Sequence, residues 1–169
     1  MRVSRRSIRL EDKIKKSDTL SREIIRLKSK GKRIVFTNGC FDILHFGHVK
    51  YLQDAKAKGD ILVVGINSDS SVRRLKGSNR PIVLQKDRAS VIAGLASVDY
   101  VTFFFDDTPL KLIAQLKPDV LVKGADWNKN KIIGGDLVRG WGGKVLTIKL
   151  ASGRSTSNLI KKIAQLYSK

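Results

Sequence analysis

Five short apolar runs are spaced along the chain, and each is rich in β-branched or aromatic side chains. None of them alternates apolar with polar positions, so each predicts a strand that is buried on both faces. Strands of that kind are typical of a parallel sheet whose two faces are covered by helices. The predicted strands are residues 34–37, 61–66, 100–105, 120–123 and 144–148.

Apolar residues at helical spacing lie between these runs, so strand and helix patterns alternate along the chain. An amphipathic helix over residues 20–30 ends before Gly31, and a last helix contains Leu159 and Tyr167. The alternation predicts an α/β fold, a three-layer Rossmann-like domain with a parallel five-stranded sheet and right-handed crossovers. Because ligands of such sheets bind beyond the carboxyl ends of the strands, functional residues are expected in the segments that follow the strands.

The charge is strongly basic and unevenly distributed. The 169 residues include 34 Lys plus Arg and 15 Asp plus Glu, for a net charge of +19, and residues 1–33 hold 13 of the basic and 4 of the acidic side chains. Residues 1–19 contain few large apolar side chains, which predicts a basic, flexible N-terminal arm before a single domain over residues 20–169. A nucleic-acid-binding arm is the alternative, although no aromatic residue is interleaved there to stack on bases.

The cysteine and histidine content excludes a disulfide-built secreted scaffold and a structural zinc protein. A single cysteine, Cys40, excludes a disulfide within the chain, and His45 and His48 belong to no Cys/His cluster at zinc spacing. No run approaches the roughly 18 consecutive apolar residues of a membrane span, and the N-terminus lacks the apolar core of a signal peptide. The expectation is a soluble, cytoplasmic protein.

Both histidines lie in the segment TNGCFDILHFGHVKYL, between the first predicted strand and the helix that follows it. A helix N-terminus presents free backbone N–H groups and a positive dipole, so it is suited to binding phosphate. His45 and His48 are three residues apart and Gly47 places no side chain between them, so both imidazoles can face one anion. Such a pair would stabilise the charge that develops during phosphoryl or nucleotidyl transfer.

Two other roles for these histidines stay open, as hydrogen-bonded residues of the fold or as metal ligands. A metal site would be incomplete, because only Asp42 lies nearby as a further ligand. The sequence contains neither G-x-G-x-x-G nor G-x-x-x-x-G-K-[ST]. A dehydrogenase-type dinucleotide site and a P-loop are therefore unsupported.

This segment and four later ones resemble the H-x-G-H nucleotidyltransferases, and within them the cytidylyltransferase-like branch. The resemblance extends from about Lys32 to the end of the chain. It is greatest to the heptose 1-phosphate adenylyltransferases, both free-standing and fused to a kinase. The later segments are NSD at 67–69, RRLKG at 73–77 with RPI at 80–82, VKGADW at 122–127 and GRSTSNLI at 153–160.

The resemblance implies a reaction in which AMP passes from ATP to D-glycero-D-manno-heptose 1-phosphate. ADP-heptose and pyrophosphate would be the products, for the synthesis of lipopolysaccharide core or another surface glycan. It also implies Mg²⁺ held mainly by the ATP phosphates, no membrane or specific nucleic-acid partner, and a homodimer or larger assembly. His45 and His48 would be catalytic and Lys123 would meet the sugar phosphate. The implied nucleotide-binding residues are Thr37, Asn38, Gly39, Asp42, Gly47, Lys76, Arg80, Arg88, Asp126, Trp127, Ser155 and Thr156.

Alternatives remain for both the residues and the function. Ser155 is also explained as a helix N-cap, Lys76 and Arg80 as a solvated loop, and Trp127 as a packing residue. A CTP-dependent cytidylyltransferase acting on glycerol 3-phosphate or a related alcohol phosphate is the nearest rival function, and a basic nucleic-acid-binding module is a rival of another class. Ala125 stands where the related enzymes commonly have a second glycine, which leaves nucleoside recognition open.

Overall fold

The computed structural model describes residues 9–125, 131–151 and 153–168. Its five strands form one parallel sheet in the order β3-β2-β1-β4-β5. The predicted α/β class and parallel five-stranded sheet are therefore confirmed. The strands are β1 (Ile34–Gly39), β2 (Ile61–Asn67), β3 (Tyr100–Phe104), β4 (Val120–Gly124) and β5 (Lys144–Ile148).

Helices cover both faces of the sheet, because successive residues of each strand point to opposite sides. In β1, Val35 packs with Leu52 and Ile92 in one apolar cluster, whereas Ile34 packs with Ile24 in the other. The described helices are α1 (Leu10–Lys13), α2 (Ser17–Ser29), α3 (Phe46–Lys56), α4 (Asp69–Lys76), α5 (Gln85–Ala93), α6 (Leu110–Leu116), α7 (Gly135–Gly140) and α8 (Thr156–Tyr167). None of the helices in the described ranges is long and apolar enough to cross a membrane.

The N-terminal segment is attached to an edge of the sheet. The Lys15 N–H donates to the Val101 carbonyl at 2.9 Å, and Lys13 Nζ donates to the Val98 carbonyl at 2.8 Å. The bond to Val101 covers part of edge strand β3, whose free backbone groups would otherwise be open to pairing. The assignment of residues 1–19 to a flexible arm did not anticipate them, because a charged segment without apolar periodicity gives no sign of strand pairing.

Candidate active site

A cleft of about 330 Å³ opens where the strand order of the sheet reverses. The sheet continues from β1 to β2 and β3 on one side, and from β4 to β5 on the other. The carboxyl ends of β1 and β4 therefore diverge and leave a crevice of the kind in which α/β proteins bind ligands. The cleft is large enough for a small molecule. It brings together most of the residues predicted from the sequence, namely Asn38, Gly39, Asp42, His45, Gly47, His48, Lys76, Arg80, Lys123, Ser155 and Thr156.

The two histidines lie at the N-terminus of α3. His45 is the N-cap residue with extended backbone, and the N–H of His48 donates to its carbonyl at 2.9 Å. The rings stack with centroids 3.9 Å apart and planes 21° from parallel. The Phe41 ring contacts His48 edge-on with centroids 5.3 Å apart. The spacing of three residues thus produces a single paired imidazole unit on the wall of the cleft.

Gly47 is required by the packing between these histidines and α8. A Cβ at this position would lie 3.0 Å from Cε1 and Nδ1 of His45 and 3.2 Å from Cβ of Arg154. Contacts that short force the neighbouring side chains to move. The sequence prediction that Gly47 makes room for the imidazoles agrees with this geometry.

Gly47→Ala should therefore displace the His45 ring and lower kcat/KM by about 10-fold or more, since small misplacements of reacting groups are costly. Gly140→Ala is the matched control, because a Cβ there meets nothing within 4 Å at the end of α7. The measurement is the steady-state release by both variants of pyrophosphate, the product that the family resemblance implies, with circular dichroism to verify folding. A folded Gly47→Ala protein with wild-type kcat/KM would contradict this account.

Both imidazoles are neutral at neutral pH. Burial lowers the pKa of His48 to about 4, with further lowering by the charges of His45 and Lys76. Burial also lowers the pKa of His45, and the nearby Arg154 guanidinium adds to the effect. Each ring of the pair therefore carries one N–H donor and one acceptor nitrogen.

A partly buried histidine with a lowered pKa makes stability depend on pH. Between pH 6.5 and about 4 the unfolded chain binds a proton at His48 that the folded protein does not bind, so the free energy of unfolding falls as the pH falls. Urea unfolding of the wild type at pH 7.5, 6 and 5 should show this loss. His48→Asn should show a smaller loss over the same range, and an equal loss in both proteins would contradict a lowered His48 pKa.

Four cationic side chains line the cleft. Lys76 lies at the end of α4, Arg80 in the loop after it, Lys123 on β4 and Arg154 before α8. Lys123 Nζ donates to the Asn38 carbonyl at 3.3 Å, which joins the ends of β4 and β1. The Arg154 guanidinium lies 5.8 Å from the centre of the Phe46 ring. This charge distribution favours a polyanionic ligand.

Asp42 is the one acidic residue among the described cleft residues, and its carboxylate is fully engaged. It accepts hydrogen bonds from Arg80 Nε at 2.6 Å and from the backbone N–H groups of Ile82 and Val83 at 2.8–3.0 Å. Burial alone would raise the pKa of Asp42, but these donors hold it below the usual value. Asp42 therefore holds the loop that carries Arg80, a role that its assignment to nucleotide binding did not include.

Three buried polar atoms of the cleft residues lack a hydrogen-bond partner in the described structure, namely Asn38 Oδ1, His45 Nδ1 and His48 Nδ1. Buried polar groups are nearly always paired in native proteins. Of the atoms with this property in the described ranges, only Thr102 Oγ1 lies elsewhere. Their concentration around one cleft is typical of a site that is completed by a ligand.

The N-terminus of α8 closes the opposite side of the cleft. Ser155 Oγ accepts from the Asn158 N–H at 3.1 Å, so this residue is the N-cap as well as a cleft residue. Thr156 Oγ1 donates to the Ile43 carbonyl at 3.5 Å. The remaining N–H groups of the first turn are free to bind an anion.

Two predicted nucleotide-binding residues lie outside the cleft wall. Thr37 is fully buried, and its hydroxyl is 2.7 Å from that of Tyr51, which donates to the Val122 carbonyl. Arg88 is also fully buried and is surrounded by acceptors of the fold. Its guanidinium bonds to three carbonyls and to Asp69 in the described structure, and its predicted contact with nucleotide stays a prediction. The predicted residues Asp126 and Trp127 lie outside the described residues.

The sequence prediction also missed several cleft residues. Arg154 is the most informative, because it directly precedes Ser155 in a recognised segment and is a basic residue after a predicted strand. Tyr51 follows His48 by three residues and lies on the same face of α3. The other missed residues are Cys40, Phe41, Gly124, Leu150, Ala151 and Ser157.

The donors of the cleft do not form a metal cage. No group of three or more His, Cys, Asp or Glu side chains in the described ranges is arranged to hold a metal ion. The Asp42 oxygens are already bonded to Arg80 and the loop backbone. Mg²⁺ commonly binds proteins together with substrate phosphates rather than in a cage of protein ligands. The cleft therefore fits a metal ion that arrives as part of a nucleotide complex.

Comparison with known proteins places the chain in a family. The family model described as Cytidylyltransferase-like matches residues 36–163, which is more than half of the chain. The bifunctional protein HldE of Geobacter metallireducens is 54% identical over 155 residues, covering 92% of this chain and 32% of that protein. The corresponding protein of Pelobacter propionicus is 51% identical over 158 residues, covering 94% of this chain and 32% of that protein.

This chain therefore spans about a third of the length of the curated relatives that it matches. Among solved structures, the lipopolysaccharide core biosynthesis protein from Thermoplasma volcanium superposes with a TM-score of 0.58 at 31% identity, covering 72% of this chain and 98% of that chain. The family match includes most of β1, both histidines and the start of α8, all of which contribute to the cleft. The chain belongs to the cytidylyltransferase-like family.

Proposed function

We propose that this protein is an adenylyltransferase that moves AMP from ATP to D-glycero-D-manno-heptose 1-phosphate, giving ADP-heptose and pyrophosphate. The observation that carries the proposal is the stacked, neutral pair His45 and His48 in a cleft with four cations and one fully engaged carboxylate. The choice of sugar is supported by the resemblance of the motifs and by relatives at about 50% identity. The ADP-sugar would supply the synthesis of a surface glycan.

In the proposed reaction, a phosphate oxygen of the sugar 1-phosphate attacks the α-phosphorus of ATP in line with the bond to the β-phosphate. That bond breaks as the new one forms, and pyrophosphate leaves with the electron pair. Three candidate nucleophiles of the cleft bond to groups other than histidines, since Cys40 contacts Asn67, Ser155 accepts from a backbone N–H and Thr156 donates to a carbonyl. We therefore expect no covalent intermediate, and inversion at phosphorus.

The residues of the cleft would act mainly by stabilising charge. Each neutral imidazole carries one N–H, which it can donate to the α-phosphate. Lys76 and Arg80 would bind the β- and γ-phosphates, with Arg154 and the N-terminus of α8 neutralising further oxygens. Lys123 would meet the sugar phosphate. Asp126 and Trp127 would contact the nucleoside.

Mg²⁺ would enter as the MgATP complex and offset charge on the phosphates. The substrates are charged, water-soluble metabolites, which fits the cytoplasmic location expected from the sequence. The protein's own contribution would then be orientation of two anionic substrates against each other.

A substrate panel tests this function. Pyrophosphate release is measured with ATP or CTP, each with heptose 1-phosphate, another hexose 1-phosphate or glycerol 3-phosphate. ATP with heptose 1-phosphate should give the highest kcat/KM. A preference for CTP with glycerol 3-phosphate would replace the assignment by the rival cytidylyltransferase. Absence of turnover with every pair, together with tight binding of DNA or RNA, would replace it by a nucleic-acid-binding function.

Lys76→Ala should raise the KM for ATP several-fold while changing the KM for the sugar phosphate little, because its charge faces only the triphosphate in this mechanism. Lys58→Ala is a matched control, since Lys58 is exposed in the turn after α3 and outside the cleft. Steady-state kinetics with each substrate varied in turn separates the two constants. An unchanged KM for ATP would identify Lys76 as a solvated residue.

A further inference from the structure

Backbone pairing between β1 and β4 stops short of the cleft. β1 pairs with β2 as far as Gly39, and β4 pairs with β5 as far as Gly124. Between β1 and β4, however, the pairing ends at Phe36 and Leu121. The last residues of these two strands therefore border a gap in the sheet, and this gap opens into the cleft.

Two side chains span the gap. Tyr51 Oη donates to the Val122 carbonyl at 3.2 Å and lies 2.7 Å from Thr37 Oγ1. Lys123 Nζ donates to the Asn38 carbonyl at 3.3 Å. These contacts join consecutive positions of the two strands, directly after the last backbone pair. Side chains thus link β1 to β4 at the positions where the ladder would otherwise have continued.

The hydroxyls of Thr37 and Tyr51 form a directed chain of hydrogen bonds. A phenol carries one proton, and since Tyr51 donates it to the Val122 carbonyl, the Thr37 hydroxyl donates to Tyr51. Thr37 is fully buried and Tyr51 is 7% exposed. Removing the phenol hydroxyl would leave two buried polar groups without that partner, which is more costly than the loss of an exposed hydrogen bond.

Tyr51 also belongs to the helix that carries the histidines. It follows His48 by three residues in α3, so both side chains lie on one face of the helix. Its hydroxyl fixes this face to Thr37 of β1 and to Val122 of β4. The next residue of β4 is Lys123, the group proposed for the sugar phosphate. Tyr51 therefore sets the distance between the groups proposed for the two substrates.

We propose that Tyr51 is a positioning residue whose hydroxyl fixes the histidines of α3 relative to Lys123 of β4, and thereby aligns the two substrates. The inference rests on the proposed function, in which ATP binds against the histidines and the sugar phosphate against Lys123. In-line transfer requires close alignment of the attacking oxygen with the α-phosphorus. Tyr51 supplies this alignment through its bonds to Thr37 and Val122.

Tyr51→Phe tests the proposal, because it keeps the ring and removes only the hydroxyl. It should lower kcat about 10-fold, since displaced groups align the substrates poorly, and change each KM less than about 3-fold, since the binding groups remain. Tyr100→Phe is the matched control. The Tyr100 hydroxyl donates to Glu23 Oε1 at 3.1 Å at the start of β3, and Tyr100 is not a cleft residue.

Both tyrosine variants should lose some thermal stability, because each loses a hydrogen bond, but only Tyr51→Phe should lose kcat. A folded Tyr51→Phe enzyme with wild-type kcat would overturn the proposal. An equal loss of kcat in Tyr100→Phe would also overturn it, because the effect would then follow from lower stability in general.

A double variant tests whether Thr37 acts through Tyr51. Thr37→Val alone should lower kcat several-fold, and it should add little in the Tyr51→Phe protein because both hydroxyls belong to one chain. Multiplicative losses would overturn the hydroxyl chain as the positioning device, and would favour a separate contact of Thr37 with the nucleotide.

A second readout needs no turnover. The chain contains two histidines, so labelling with ¹⁵N-histidine gives NMR signals from these two rings alone. The signals should move in Tyr51→Phe and coincide with those of the wild type in Tyr100→Phe. Unchanged signals in Tyr51→Phe would overturn the positioning role even where the adenylyltransferase assignment holds. If no substrate pair is turned over but the signals move, the proposed function fails and the positioning of the histidines by Tyr51 stands.

Discussion

His48→Ala should lower kcat by about 100-fold or more while the protein remains folded. Loss of one donor that binds charge developing in a transition state costs on the order of 3–4 kcal/mol. His48 stacks on His45 at 3.9 Å, and burial keeps its ring neutral, so the alanine variant loses both a donor and the support of the neighbouring ring. The measurement is kcat for pyrophosphate release at saturating MgATP and sugar phosphate.

The same stacking predicts how the two histidines combine. Because each ring positions the other, the double variant His45→Ala/His48→Ala should lose much less than the product of the two single losses. Lys50→Ala is the control on the same helix, since Lys50 is exposed and pairs with Asp54 at 2.6 Å. A His48→Ala enzyme with wild-type kcat would remove the histidine pair from the mechanism, and fully multiplicative losses would show that the rings act independently.

The fold was predictable because its signal is local. The inner strands β1, β2 and β4 are almost completely buried on both faces, so a run of mainly apolar residues identifies them. The ends of the strands were harder to predict from the sequence. Asn38 and Gly39 continue β1 only because they pair with Gly65 and Ile66 of β2. These residues have low strand propensity, and the register that holds them is a long-range property.

The short helices escaped prediction for a similar reason. α4 packs against β2, but Val72 is its only fully buried apolar residue, Leu75 is exposed, and the other positions are charged or polar. α7 begins and ends with glycine. Intrinsic propensity and periodicity are both weak in such segments, so the tertiary packing decides their structure.

The candidate site was predictable where a motif is compact. The segment with His45, Gly47 and His48 needs only helix geometry to bring its residues together. The ion pair between Asp42 and Arg80 joins positions 38 residues apart, and no local pattern reveals it. The residue types of the cleft could therefore be predicted from the sequence. Which charged side chains face the ligand and which stabilise the fold could not.

Arg88 is the clearest case of a charge that holds the fold, and Arg88→Met should destabilise the protein by about 3–5 kcal/mol. Its side chain is fully buried and forms an ion pair with Asp69 at 2.7 Å. It also donates to the carbonyls of Val83, Cys40 and Asn67, which joins the ends of β1 and β2 to the loop before α5. The methionine variant would leave a poorly solvated carboxylate and three carbonyls without this donor. Urea unfolding at pH 7.5 measures the loss.

An exposed ion pair provides the contrast that makes this expectation specific. Arg139 pairs with Asp136 at 2.8 Å on the surface of α7, and Arg139→Met should cost at most about 1 kcal/mol because solvent screens both charges. In the double variant Arg88→Met/Asp69→Asn the uncompensated carboxylate is gone, so part of the lost stability should return. Equal small losses for Arg88→Met and Arg139→Met would mean that the buried guanidinium contributes little to the fold. If Asp69→Asn does not reduce the stability lost in Arg88→Met, the effect belongs to the three carbonyls and not to the ion pair. The main role of Arg88 would then be to join the ends of β1 and β2 to the loop before α5.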